Sequence, residues 1–309
     1  MQKNELSFLS SNNKTDIHVI EWVPDGLVKG VVQLCHGMVE YIDRYDDFAR
    51  FLAGNGYYVV GNDHLGHGAS VNDDSEHGFF GHPHGNDFLV WDIHLLRKVT
   101  QKKHSNVPYF MLGHSMGSFL VRQYITEFGE GIDGAVIMGT GYQPAGVLTS
   151  GRALCKAIAR IRGWNYRSDK VNDMALGAYN KEFEPARTRA DWLTRDEAIV
   201  DKYIADPWCS FTFTVNGYYQ MFKGIQAAQK KGYIDSIPKE MPLFLVSGQN
   251  DPVGEFGKGV RKVYEDYKDA GIYDVQMKLY EADRHEILNE LDKESVYEDI
   301  LDFFNAHLK

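Results

Sequence analysis

The chain has 309 residues, 43% of them hydrophobic and 25% charged, which is the composition of a folded globular protein and excludes a disordered chain. Its formal net charge of −10 disfavours nucleic acid as a partner and provides no overall attraction to an anionic membrane. The three cysteines, Cys35, Cys155 and Cys209, lack the even number of a disulfide framework and the spacing of a zinc site, so we expect buried free thiols.

Short β-type runs alternate with helical patterns through most of the chain, which predicts a mainly parallel sheet with helices on both faces. Residues 5–9 and 17–22 flank a polar turn and predict an opening hairpin. Further buried strands are predicted at residues 31–35, 57–62, 108–112, 134–138, 243–247 and 275–280. Helices are predicted at residues 45–53, 116–128, 260–267 and 296–304. We expect the last of these helices to dock on the sheet edge.

Residues 142–235 interrupt this alternation. They show helical patterns, and residues 211–215 alone have the alternation of a strand. They carry 14 Lys and Arg against 10 Asp and Glu, so the segment is basic within an acidic chain. We therefore predict a core formed by residues 1–141 and 236–309, with residues 142–235 inserted as a helical cap. Some of its aromatic side chains are expected to wall an apolar tunnel, among them Trp164, Trp192, Trp208, Phe211, Phe213, Tyr219 and Phe222.

The start of the chain is polar, and no segment approaches the run of about 18 apolar residues that a transmembrane helix requires. We therefore expect a cytoplasmic protein. His77, His82 and His84 lie close together, but the glycines around them favour a solvated loop over a metal site. Glu40 and Arg44 have the spacing of a local ion pair. We expect neither a metal nor a cofactor, and the sequence leaves the oligomeric state open.

The pentapeptide Gly113-His114-Ser115-Met116-Gly117 fits the pattern G-x-S-x-G. The pattern alone is a weak signal, but here it follows a predicted buried strand and precedes a predicted helix, which is the context that it requires. Small residues two before and two after the serine avoid collisions at a sharp, strained turn. The turn also brings the serine to a helix N-terminus, where developing negative charge is favoured.

A serine hydroxyl is nearly inert at neutral pH, so it needs a base within hydrogen-bond reach and a third group that orients the base. Asp251 and His285 each follow a predicted strand, at the edge of an open α/β sheet where sites form. The chain order serine, aspartate, histidine is that of α/β-hydrolases. We therefore predict Ser115 as the nucleophile, His285 as the general base and Asp251 as its orienting carboxylate.

Acyl transfer also needs two donors for the oxyanion. One is predicted to be the N–H of Met116, the residue after the nucleophile, and the other the N–H of Met38, after the predicted strand 31–35. Gly37 would let the backbone turn inward beside the substrate. We expect Gly37 and His114 to border the bound substrate.

Five segments carry a resemblance to a known family: HGMVEYIDRY at 36–45, DHLGHGAS at 63–70, GHSMGS at 113–118, GQNDPVG at 248–254 and RHEILNE at 284–290. Together they resemble the monoacylglycerol lipase and lysophospholipase-like branch of the α/β-hydrolases, over nearly the whole core. The resemblance implies an α/β-hydrolase fold with a mobile helical cap, and a metal-free hydrolase that cleaves one fatty-acyl ester of a small polar alcohol. The sequence departs from this family at Tyr41 and Leu65, where His and Arg are common, near the expected acyl or alcohol pocket.

The predicted function is a serine carboxylic-ester hydrolase that acts on monoacylglycerol or lysophospholipid through an acyl-enzyme. A short-chain carboxylesterase and an aminopeptidase-like acyl hydrolase are alternatives, and the peptidase would need an acidic anchor for a free amine. Outside enzymes, the alternative is a catalytically silent binding module of the same fold. An epoxide hydrolase or dehalogenase is disfavoured, because its nucleophile would be a carboxylate at position 115.

A short basic amphipathic helix is predicted near the start of the cap. One hypothesis is that it contacts a membrane or micelle transiently, which would make the protein peripheral at the membrane. The alternative is an ordinary cap helix that packs on its neighbours. The apolar stripe consists of Leu154, Ile158 and Ile161, and the basic face of Arg152, Lys156 and Arg160.

Overall fold

A computed structural model describes residues 1–308. Its centre is one sheet of eight strands. The eight strands predicted outside residues 142–235 are confirmed, because each strand overlaps its predicted range. The strands are β1 (Gln2–Leu9), β2 (Asp16–Val23), β3 (Gly30–Cys35), β4 (Tyr57–Asn62), β5 (Tyr109–His114), β6 (Gly134–Met138), β7 (Leu243–Gly248) and β8 (Val275–Tyr280).

The strands lie in the order β1-β2-β4-β3-β5-β6-β7-β8. The predicted hairpin is present, since β1 pairs antiparallel with β2, from Gln2 opposite Val23 to Leu9 opposite Asp16. β2 also pairs antiparallel with β4, and the other pairs are parallel. Five of the parallel strands, from β3 to β7, are buried at every residue, as expected for a parallel sheet covered on both faces.

Ten helices of the described chain surround or cap the sheet, and short 3₁₀ turns connect some of them. The four helices predicted outside residues 142–235 are present, and the helix predicted near the start of that segment is α4. The helices are α1 (Asp46–Gly54), α2 (Gly85–Lys103), α3 (Met116–Phe128), α4 (Ala145–Arg162), α5 (Asp169–Leu176), α6 (Glu197–Ala205), α7 (Val215–Ala228), α8 (Lys231–Ile234), α9 (Lys258–Asp269) and α10 (Lys293–Ala306).

The helix α2 was not predicted, although it has 19 residues. Its buried side includes charged residues, and these interrupt the apolar period from which a helix is recognised. The buried Asp92 accepts hydrogen bonds from Ser10 Oγ and the Ser11 N–H. The buried Arg97 donates to the carbonyl oxygens of Phe128 and Glu130, both at 2.6 Å. These partners are distant in sequence, so the burial of Asp92 and Arg97 in this helix can be recognised only in the folded chain.

Helices cover both faces of the sheet, as predicted. α1 and α10 pack on one face with the side chains of Val32 and Phe110, while α2, α3 and α9 pack on the other face with those of Val31 and Met111. The expected docking of the last helix on the sheet edge is wrong. The ring of Phe304 in α10 lies 4.9 Å from that of Phe110, which belongs to the interior strand β5. A sheet that is apolar on both faces needs a helix over its centre.

The segment 142–235 holds α4 to α8 and lies between β6 and β7, which are neighbours in the sheet. The predicted strand at 211–215 is wrong: only an isolated bridge joins Thr214 to Arg167, and α7 begins at Val215. Thr214 caps that helix, because its side chain accepts a hydrogen bond from the Gly217 N–H at 3.1 Å. The division of the chain into core and cap remains a prediction. Within residues 1–308, no helix has both the length and the apolar character to cross a bilayer.

Candidate active site

Ser115 occupies the turn between β5 and α3, with φ 53° and ψ −119°. A positive φ is uncommon for a residue with a side chain, and the surrounding packing must hold this strain. Neighbouring glycines make the turn feasible. A Cβ on Gly113 would lie 2.4 Å from the carbonyl oxygen of Gly117, and a Cβ on Gly117 would lie 2.0 Å from that of Cys35. The small residues of the pentapeptide therefore have the steric role that the sequence suggested.

Asp251 and His285, 34 residues apart in the chain, meet in the structure. The Nδ1 atom of His285 lies 2.9 Å from Asp251 Oδ2, and both side chains are buried. Asp251 also accepts hydrogen bonds from Ser247 Oγ at 3.1 Å and from the Val253 N–H at 2.8 Å. Because an ionised carboxylate only accepts, this arrangement assigns the Nδ1 proton to His285 and leaves Nε2 as the basic nitrogen.

Ser115 and His285 line the same cavity. Within residues 1–308, the ring of His285 is hydrogen-bonded through Nδ1 and not to the hydroxyl of Ser115. Hydrogen bonds between a nucleophile and its base are often long without a substrate, so a short approach of Nε2 to Ser115 is expected in the reacting complex.

Met38 and Met116 both line the cavity beside Ser115. Met116 is the first residue of α3, where the N–H has no acceptor within the helix. The N–H of Gly37 donates to Glu40 Oε1 at 2.5 Å, so it is already occupied. A Cβ on Gly37 would lie 3.1 Å from Ser115 Cβ, and only glycine allows the backbone to pass this close. The oxyanion and substrate-contact roles of these residues remain predictions.

A buried cluster of four charged side chains lies beneath the cavity. Arg44 forms a two-pronged pair with Glu286, at 2.8 Å for each hydrogen bond, and its Nη1 donates to Glu40 at 2.7 Å. His114 lies between Glu40, 3.3 Å from its Nδ1, and the carbonyl oxygen of His285, 3.2 Å from its Nε2. Both ring nitrogens therefore face acceptors, which the protonated imidazolium satisfies.

The charges of this cluster support one another. Burial by itself would lower the pKa of His114, but the hydrogen bond and charge of Glu40 raise that pKa above its ordinary value. Burial would likewise raise the pKa of Glu40, but His114 and Arg44 hold that pKa well below its ordinary value. Two cations and two anions thus neutralise each other around the backbone of His285.

Sequence reasoning identified part of this cluster. The predicted ion pair between Glu40 and Arg44 is present. His114 borders the cavity as expected, although its ring nitrogens are directed to Glu40, Tyr45 and the backbone of His285. The role of Glu286 was missed. Its only sequence signal is its position directly after His285, and its partner Arg44 is 242 residues away.

The cavity above Ser115 has a volume of about 140 Å³. Its walls are mainly apolar, and most of them come from the segment 142–235. Among the aromatic residues predicted to wall a tunnel, Trp192 and Phe222 line the cavity. The others pack elsewhere, as Trp164 does against His82 and Phe213 against Phe80. The apolar lining residues include Phe119, Val147, Leu148, Met174, Leu176, Tyr179, Met221 and Ile225.

Comparison with known proteins shows the family of the chain. The family model Hydrolase_4, described as serine aminopeptidase S33, matches residues 26–292. The chain is 27% identical over 291 residues to a monoacylglycerol lipase of Mycolicibacterium smegmatis, covering 93% of this chain and 92% of the relative. It is 26% identical over 274 residues to a monoglyceride lipase of Mus musculus, covering 87% of this chain and 80% of the relative.

The fold of the chain is also similar to that of a solved structure. The chain resembles a thermostable carboxyl esterase from Bacillus coagulans in complex with glycerol, with a TM-score of 0.93, 29% sequence identity and coverage of 99% of both chains. The eight-stranded sheet and its helices are those of an α/β-hydrolase. The chain therefore belongs to the Hydrolase_4 family, serine aminopeptidase S33, and is a hydrolase similar to the monoacylglycerol lipases.

Proposed function

We propose that this protein hydrolyses a single fatty-acyl ester, of monoacylglycerol or lysophospholipid, with Ser115, His285 and Asp251 as its catalytic triad. The observation that carries the proposal is the buried 2.9 Å pair of Asp251 and His285, because His285 lines the same apolar cavity as the strained Ser115. An apolar cavity suits an acyl chain, and the catalytic groups at its base suit the ester.

The proposed reaction has two acyl-transfer steps. Ser115 Oγ attacks the ester carbonyl while His285 Nε2 takes its proton and then passes it to the leaving alcohol. Water, deprotonated by the same nitrogen, attacks the acyl-enzyme and releases the fatty acid and Ser115. The N–H groups of Met38 and Met116 would hold the oxyanion in both steps. Asp251 remains ionised and keeps the His285 tautomer.

An aminopeptidase reaction fits the site less well. A free amine would need a carboxylate anchor, and Glu40 and Glu286 line the cavity. Arg44 already pairs with both of them at 2.7 and 2.8 Å, so neither is free for a second cation. A carboxylesterase for shorter chains is the second candidate, because the similar Bacillus coagulans protein is described as a carboxyl esterase.

We also propose that the cavity mouth contacts a lipid surface. Val147 of α4 and Met174 of α5 line the cavity, yet they are 54% and 46% exposed. Ile161 of α4 is 82% exposed. Arg152 does not belong to the exposed basic face, because it donates to Gln226 Oε1 at 2.6 Å and to Tyr219 Oη at 3.1 Å. Apolar side chains at a mouth thus support the lipid hypothesis better than the basic face does.

The test is hydrolysis of monoacylglycerols of graded chain length, lysophospholipids, short nitrophenyl esters and aminoacyl amides, with Ser115→Ala as the control. We expect serine-dependent release that is fastest with a long-chain monoacylglycerol or lysophospholipid. A preference for short esters would show that the second candidate, a carboxylesterase for shorter chains, is the correct function. Turnover that is the same in Ser115→Ala, or no turnover on any of these compounds, would contradict the proposed function.

A further inference from the structure

The loop that carries His285 is covered by one short segment. We call residues 283–292 the His loop and residues 191–195 the covering segment. The backbone N–H of Glu286 donates to the carbonyl oxygen of Leu193 at 2.7 Å, and that of His285 donates to Trp192 at 3.4 Å. The hydroxyl of Thr194 donates to the carbonyl oxygen of Asn289 at 2.9 Å. The path of the His loop therefore follows the covering segment over most of its length.

At the end of the covering segment, Arg195 enters a group of three carboxylates of the His loop. Its Nη2 lies 2.6 Å from Asp283 Oδ1 and 2.5 Å from Asp292 Oδ1. Its Nε donates to Glu290 Oε2 at 2.9 Å, and its backbone N–H to Glu290 Oε1 at 3.1 Å. Asp283 precedes His285 by two residues and Glu290 follows it by five, so Arg195 connects the chain on both sides of the histidine.

These carboxylates repel one another strongly. One oxygen of each lies within 4.8 Å of the others, and the side chains of Asp283 and Glu290 are fully buried. Burial, and then the charges of Glu290 and Asp292, raise the pKa of Asp283 to about 7. Asp283 Oδ2 has no hydrogen-bond partner within residues 1–308.

The guanidinium of the neighbouring Arg284 does not pair with these carboxylates. Its guanidinium donates to the carbonyl oxygens of Asp191 and Thr194 and lies over the ring of Phe183. Within residues 1–308, Arg195 is the cation that pairs with the three carboxylates. Without it, buried charges would remain unpaired, and the loop would have to open to hydrate them.

We propose that Arg195 is a positioning residue for the general base: by pairing with carboxylates on both sides of His285, it holds the His loop against the covering segment. His285 is then presented to Ser115 in a fixed position. This inference rests on the proposed function, since it requires His285 to act as the base. Arg195 touches neither the substrate nor the reacting atoms.

The experiment compares Arg195→Met and Arg195→Lys with wild type, using a fluorophosphonate that phosphonylates the serine and a soluble short nitrophenyl ester. Arg187→Met is the matched control, because Arg187 also lies between α5 and α6 but pairs with the exposed Asp201. All rates are measured well below the melting temperature of each variant. Mass spectrometry locates the phosphonylated residue.

We expect Arg195→Met to lower the inactivation rate and kcat by at least about tenfold, with KM within about twofold, because the base is misplaced while the cavity is kept. Arg195→Lys should recover part of the rate, since it restores the charge without the planar fork. Arg187→Met should match wild type. If Arg195→Met does not fold, an intermediate loss of rate in Arg195→Lys supports the same conclusion.

The inference is overturned if Arg195→Met is inactivated at the wild-type rate, or if Arg195→Lys is when Arg195→Met does not fold. It is equally overturned if Arg187→Met loses as much of the inactivation rate as the Arg195 variant does. It is also overturned if KM rises while kcat stays unchanged. If wild type is phosphonylated at Ser115 and the Arg195 variants react at the same rate, the positioning role of Arg195 is refuted, but the proposed function is not. Wild type that is not phosphonylated at Ser115 refutes the proposed function and this inference together.

Discussion

Single residues in this site depend on each other through buried charge. His285 has two charged partners of different kinds: the carboxylate of Asp251 holds its ring, and His114, which is paired with Glu40, contacts its backbone carbonyl oxygen. A buried ion pair contributes little net stability when complete, but removal of one member leaves an uncompensated charge. We therefore expect substitutions of Ser115 and His285 to lower kcat, and substitution of Arg44 to lower the free energy of unfolding.

Ser115→Ala and His285→Ala should each lower kcat about 10⁶-fold on the preferred ester. The double variant should lose hardly more than either single variant, because a nucleophile without its base and a base without its nucleophile are both inactive. Steady-state kinetics on purified variants measures these losses. Losses that multiply in the double variant would show that the two residues act independently.

Arg44→Met should lower the free energy of unfolding by about 3–5 kcal/mol, because Glu40 and Glu286 would remain buried without their cation. Urea denaturation followed by circular dichroism gives this value. Arg50→Met is the control, since Arg50 is an exposed residue paired with Asp46 at the surface, and it should leave the unfolding midpoint almost unchanged. Equal effects of the two substitutions would contradict a special role of the buried pair.

At the scale of elements, the His loop and the covering segment form one contact between two parts of the chain that are about 90 residues apart. Its carboxylates were not predicted as a group, because Asp283, Glu290 and Asp292 look like ordinary loop residues in the sequence. Their closeness results from the turn after β8 and from the approach of Arg195. Because burial and the neighbouring carboxylates raise the pKa of Asp283, we expect stability to depend on pH through this contact.

Asp283→Asn should flatten the dependence of stability on pH. The pKa of Asp283 is about 7 in the folded protein, against an ordinary value of 3.8, so the folded state binds more protons than the unfolded state between these values. The contribution of Asp283 to the unfolding free energy therefore falls as pH rises from about 4 to about 7. Melting temperatures at pH 5, 6, 7 and 8 should decline more steeply for wild type than for Asp283→Asn.

A suitable control for this titration is Asp201→Asn, which removes an exposed carboxylate from the ion pair with Arg187. Its melting temperatures should run parallel to those of wild type. If Asp283→Asn also runs parallel to wild type, the raised pKa of Asp283 has no influence on stability in this range.

The whole molecule places a mainly apolar cavity between the edge of the sheet that carries Ser115 and His285 and the helices of the segment 142–235. β6 and β7 are neighbours in the sheet, so this segment leaves and rejoins the sheet at adjacent strands. Its helices can therefore roof the site without disturbing the order of the strands. The exposed apolar side chains at the mouth of the cavity then face the surroundings of the protein.

The double substitution of Val147→Glu and Met174→Glu should reduce co-sedimentation with vesicles that contain monoacylglycerol, because it adds two negative charges to the apolar rim. Val99→Glu serves as control, since Val99 is 68% exposed on α2, outside the rim. It should sediment like wild type. Equal sedimentation of all three proteins would remove the lipid-surface proposal.

Much of this protein follows from local sequence patterns. The strands were recognisable because burial on both faces produces continuous apolar runs, as in residues 108–112 and 134–138. The turn at Ser115 was recognisable because strain and close packing require glycine at fixed distances. The order of Ser115, Asp251 and His285 after their strands was sufficient to predict a triad, of which the pair of Asp251 and His285 is visible as a hydrogen bond.

Only the tertiary structure decided which distant charges pair and which side chains face the cavity. Glu286 and Arg44 are 242 residues apart, and no periodic pattern connects them. Trp192 lines the cavity while Trp164 packs on His82, although both are tryptophans of one helical segment. The physical reason is common to these cases: a local pattern encodes burial, whereas the identity of a partner depends on how remote parts of the chain are brought together.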